Sequence, residues 1–168
     1  MKGKARREVR AALGAVTALL PTPWDIDVFV ARLAEHRGRP IALVPWTFEG
    51  VQSSTSGMFL PSAQTDYVFY DAAASPARRE QIIGHELGHL LLGHNPQLQD
   101  APDGLLQALA PDLSPALARR VLALARTGYD DAHEAAAELF GTSLTQAAAS
   151  AGHPPEDGEL GRLVEVLR

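Results

Sequence analysis

The sequence predicts an α+β fold, a small three-stranded antiparallel sheet packed against a helical half. Three observations point there. Short apolar runs bounded by turn residues occupy 41–46, 57–60 and 67–70, and then cease. From Ser75 onward apolar residues recur at helical spacing, punctuated by Ser-Pro, Gly and Pro. The 168 residues, 46% of them apolar, suffice for one core, so the chain reads as a single domain over 1–168, with an N-terminal helix and connector over 1–24 and a helical tail over 145–168.

The elements follow in order. Residues 4–20 read as an amphipathic helix, because Val9, Leu13, Val16 and Leu20 recur on one face, and Pro21 and Pro23 end it. Lys2, Lys4, Arg6, Arg7 and Arg10 ahead of the mild apolar run Ala11 to Leu20 superficially resemble an export signal. No clean small-x-small site follows, so the expectation is a cytoplasmic protein. Asp25 caps a second helix to about His36, with Ile26, Phe29, Val30 and Leu33 on one face. Ile41 to Trp46 reads as a strand, which Pro45 assigns to a sheet edge because proline donates no ladder hydrogen bond. After a Ser-rich turn at 50–57, Gly57 to Leu60 and Tyr67 to Tyr70 read as a hairpin joined through Pro61 to Asp66. Ser75 caps, and Pro76 opens, a helix to about Leu92, stopped by Gly93. Leu105 to Ala110 and Ser114 to Arg126 read as helices. Asp130 or Asp131 opens another through about Leu144, and Glu159 to Leu167 is a last short one.

Composition narrows the chemistry. A net charge of −5 without a basic stripe disfavours direct nucleic-acid binding. No apolar segment approaches the roughly 20 residues that span a bilayer. With no cysteine, disulfides and thiolate metal sites are excluded, and any metal must be held by His, Asp and Glu.

One pattern carries chemistry. His85-Glu86-Leu87-Gly88-His89 is His-Glu-x-x-His inside a well-capped helix. Two histidines four residues apart differ by about 40° around the axis, so both imidazoles reach one ion. Zinc suits such donors and keeps an open position for water, and manganese also fits His and carboxylate ligands. Glu86 sits where a general base would take the proton of that water. Ile83, Leu87, Leu90 and Leu91 line one face of the helix, while Ile82 and Leu92 flank the histidines, so the helix should be buried. The plainer reading is a pair of structural histidines. His94 would lie about 140° from His89 on a continuing helix. It is therefore read as a helix C-terminal cap rather than a third ligand.

A third ligand must come from elsewhere. Asp130, Glu134 and Glu138 share a helix face at i, i+4 spacing, where like charges repel unless something relieves them. The three alanines 135–137 allow this helix to approach another closely. In this reading Glu134 ligates the metal and Glu138 hydrogen-bonds the outer nitrogen of a ligating histidine. Glu138 is the fallback ligand, and a solvated acidic face is the plainer alternative. Tyr129 and His133, beside Glu134, are candidate oxyanion donors.

The block Arg78 to His94, the strand Tyr67 to Tyr70 before it, and Glu134-Ala135-Ala136-Ala137-Glu138-Leu139-Phe140 after it together resemble the ImmA/IrrE-type metallopeptidases, over roughly 25–145. The resemblance implies a zincin-like helical core of the gluzincin kind, with His85, His89 and Glu134 as metal ligands and Glu86 as general base. It also implies a helix-turn-helix repressor as the protein substrate. Glu138 stands where the family has Asp or Asn, no Met-Pro follows, and the segment between His89 and Glu134 is long. A competing class is a metal-containing regulatory protein that sequesters a repressor without cutting it.

Overall fold

The structure is a computed structural model, and residues 2–47, 56–61, 65–94 and 129–151 are described. The expected helices at 105–110, 114–126 and 159–167 lie outside these residues, as do most of the Ser-rich turn and the middle of the hairpin connection.

Helix α1 spans Lys2–Val16 and runs on into a 3₁₀ turn, Thr17–Leu19; helix α2 spans Ile26–Arg37. Asp25 caps α2 by accepting from the N–H groups of Asp27 and Val28, and Gly38 in the left-handed region ends it. Strands β1 (Ile41–Trp46), β2 (Gly57–Pro61) and β3 (Asp66–Asp71) follow, then α3 (Pro76–Leu91) and α4 (Asp131–Ala151). The last helix outruns its expected end at Leu144 by almost two turns. No breaker interrupts it, and the hydroxyls of Thr145 and Ser150 donate to carbonyls four residues back within the helix.

The sheet is mixed, not antiparallel. Its order is β1-β3-β2: the expected β2–β3 hairpin is antiparallel, but β1 pairs with β3 in parallel. The cause lies where β1 and β3 begin. Asp66, 2% exposed, accepts from Arg37 at 2.7 Å and Arg39 at 2.9 Å, and its N–H donates to the carbonyl of Pro40. This pins the start of β3 beside the start of β1, so the two run the same way. Pro45 does sit on an edge strand, as expected.

Val68 and Phe59 face the main core, joined by Phe29, Leu33, Ile83, Leu87, Phe140 and Leu144 from the helices. Met58, Leu60 and Phe69 form a second apolar cluster on the opposite face of the sheet. The buried stripe of α1, Val9 and Val16, joins the main core. No helix among the described residues is long and apolar enough to cross a membrane.

Candidate metal centre

Helix α3 is anchored at its start and stripped of side chains further along. Ser75 accepts from the Arg78 N–H, Arg79 makes two bonds to Asp27 at 2.6 and 3.0 Å, and the Trp24 indole donates to Glu80. Hydrogen bonding to Asp27 is the main reason the Arg79 pKa is raised. These contacts tie α3 to the start of α2. Beyond them, α3 lies against α4 almost backbone to backbone. A Cβ on Gly88 would fall 2.9 Å from both the Cα and the carbonyl oxygen of Ala137, and one on Gly141 would fall 3.1 Å from the backbone nitrogen of His85. Gly84 and Gly88 on α3, and Ala137 and Gly141 on α4, are each spaced i, i+4, so each pair lines one helix face. The alanine run suggested this close approach; the glycines that meet it were missed, although their spacing was there to be read.

Glu134 lies three residues before Ala137 on the same stripe of α4, so the close crossing carries it to the histidines. His85 Nε2 and His89 Nε2 are 3.1 Å apart. Glu134 stands 3.2 Å from the former and 3.8 Å from the latter. Ligand atoms of the three residues all lie within 4.8 Å of one another. Two donors about 2.0–2.1 Å from one tetrahedral ion would be about 3.3 Å apart, so two imidazoles and a carboxylate at these separations fit a divalent cation such as zinc. Glu138 takes a different place: its carboxylate is 3.4 Å from the outer nitrogen of His85, Nδ1. The histidines differ in setting. His89 is 1% exposed, and burial and neighbouring histidines push its pKa far below the usual imidazole range; His85 is partly open to solvent.

Glu86 is buried at 5% exposure, and desolvation, aided by the Glu134 charge, pushes its pKa up to about 8. The first residue of β2 leaves room for it: a Cβ on Gly57 would fall 2.8 Å from the Glu86 carboxylate and would collide with the Ile82 side chain. Tyr129 stacks on His89 with ring centroids 3.6 Å apart. Its hydroxyl is buried without a partner among the described residues, and desolvation, then Glu86 and Glu134, raise its pKa so that it stays protonated. His133 pairs with Asp130 at 3.1 Å and packs against the His94 ring.

His94 is not the helix cap expected of it. Gly93 takes a φ of 69°, which turns the chain back on itself, and the His94 N–H donates to the His89 carbonyl. The buried His94 ring therefore lies against His89 rather than about 140° away from it, and burial lowers its pKa to about 4, so it offers no cation to the helix end.

No curated protein and no solved structure matches the chain. The family model Peptidase_M78, described as the IrrE N-terminal-like domain, matches residues 45–114. That span holds β2, β3 and all of α3 with His85, Glu86 and His89; Glu134 and α4 lie beyond it. Over residues 45–114 the resemblance read from the sequence is thereby borne out, that stretch being matched by the IrrE N-terminal-like domain of the ImmA/IrrE metallopeptidase family, while its part at Glu134 to Phe140 lies outside the match.

Proposed function

We propose that the protein is a zinc-dependent endopeptidase, with His85, His89 and Glu134 as metal ligands and Glu86 as general base. The observation that carries this is the convergence of three ligand side chains from two helices beside a buried carboxyl of raised pKa. A bound divalent ion supplies a Lewis acid and lowers the pKa of its water. The protein's own groups do the rest. Glu86, held in an apolar wall between α3 and β2, takes a proton from water and passes it to the leaving amine. Tyr129 keeps its proton and has no competing partner among the described residues, so its O–H suits the developing oxyanion. Glu138 orients His85.

The edge of β2 supports an extended substrate. The Asp71 N–H donates to Ser56, and the register then alternates, so the backbone groups of Met58 and Leu60 face β3 while those of Gly57 and the carbonyl of Phe59 point outward, the Phe59 N–H being bonded to Glu86. An added peptide strand would pair there, beside Glu86. A helix-turn-helix regulator, which the family resemblance implies, is the substrate we favour, with the reaction in the cytoplasm. Zinc is preferred to manganese for its affinity for imidazole.

The test is Glu86→Gln in the zinc-loaded protein. It should keep one equivalent of metal and lose about 10²–10⁴-fold in peptide-bond cleavage. If the variant still relieves repression in cells while cleaving nothing, sequestration of the regulator is the activity instead.

A further inference from the structure

We propose that His94 is a positioning residue for the metal site, accepting a hydrogen bond from the Nδ1–H of His89 and so fixing the tautomer that leaves the Nε2 lone pair of His89 facing His85 and Glu134. The proposal rests on the metal-site reading above. The Nδ1 atoms of His89 and His94 are 3.0 Å apart, and both residues are buried, at 1% and 7% exposure. A neutral imidazole carries one N–H, so of two facing ring nitrogens one donates and the other accepts. When the Nε2 of His89 gives its lone pair to a cation, its proton sits on Nδ1. His94 must then accept at Nδ1 and carry its own proton on Nε2.

The local fold is built to bring this ring back. Gly93 in the left-handed region reverses the chain, the Gly93 N–H donates to Leu90 and the His94 N–H to His89, and the His94 ring closes over the outer edge of its neighbour. On its far side it packs against the His133 ring, centroids 4.2 Å apart. His85 has a different outer partner, the Glu138 carboxylate at 3.4 Å, whose side chain is 75% exposed. Water can replace that exposed partner. At His89 the surroundings are dry, and a side chain that cannot accept would leave a buried N–H without a bond.

The experiment uses the full chain with one equivalent of Zn²⁺. Long-range ¹H–¹⁵N correlation of the imidazoles should show His89 protonated at Nδ1 and His94 protonated at Nε2 alone; His94 protonated at Nδ1 overturns the proposal without any variant. Zinc affinity by competition with a chromophoric chelator should weaken about 10–100-fold in His94→Phe, which keeps a ring but cannot accept. His94→Asn, whose amide oxygen can take the place of Nδ1, should bind close to wild type. Equal weakening in both variants, or none in His94→Phe, overturns the proposal. His85→Ala is the control for the underlying site. If it binds zinc like wild type, the metal-site reading fails and the proposal with it; if only the His94 variants behave as wild type, the metal site stands and His94 has no part in it.

Discussion

Two junctions in this molecule are made in opposite ways. Where β1 and β3 begin, the contact is made by side chains: two arginines close on one buried aspartate, and apolar residues fill the space behind. Where α3 crosses α4, it is made by their absence, glycine against alanine and glycine, with backbones nearly touching. The first junction sets topology and tolerates some movement, since long side chains can readjust. The second sets the distance between a carboxylate on one helix and two imidazoles on the other, and has no slack. A ligand set drawn from two elements needs the second kind.

The largest effect should come from wedging the helices apart. Gly88→Val places a branched side chain against the Ala137 backbone, with an overpacking cost of about 1–3 kcal/mol or more. Stoichiometric zinc should be lost in metal analysis, along with a fall in the denaturation midpoint. Unchanged zinc content would mean that the crossing does not set the site.

Gly57→Ala should come next. Its Cβ meets the Glu86 carboxylate and Ile82, while the ligands lie elsewhere. Cleavage should drop by up to about 10²–10⁴-fold at retained zinc content. Loss of metal together with activity would show that β2 supports the ligands and not the base alone.

Asp66→Asn probes the other junction. Charge-assisted bonds to Arg37 and Arg39 are weakened, at about 1–3 kcal/mol, reduced by the partial exposure of both arginines. The urea midpoint should fall while zinc affinity stays at the wild-type value. A parallel fall in affinity would deny the separation of the two junctions.

A separate effect is one of pH, in the metal-free protein. The Glu86 pKa rises from 4.5 to about 8 on folding, so the stability its protonated form contributes is full below pH 4.5 and is lost as pH rises through about 8. Glu86→Gln removes this loss. Its melting temperature relative to wild type should climb between pH 4.5 and 8; a difference independent of pH would contradict the buried, proton-retaining carboxyl.

Much of this was legible in the residues, and the remainder was not for identifiable reasons. Caps and breakers are local, so Asp25, Ser75, Pro76 and Gly93 marked helix ends close to where they fall. The β2–β3 hairpin is also local. The placement of β1 is not: alternation and turn residues say nothing of which strand it meets, and the deciding group, buried Asp66, stood in what read as a polar connection. Glu134 was legible because an acidic stripe of that spacing is costly without a partner. His94 was misplaced because the helical period was carried one residue past a glycine of positive φ, where it no longer holds.

The most direct test of the account is metal content after purification, comparing wild type with Glu134→Ala and Glu138→Ala. One equivalent of zinc in wild type and in Glu138→Ala, with none in Glu134→Ala, is the predicted result. A Glu134→Ala protein that keeps its zinc, or a wild type that holds none when zinc is supplied, would contradict a metal site shared between α3 and α4.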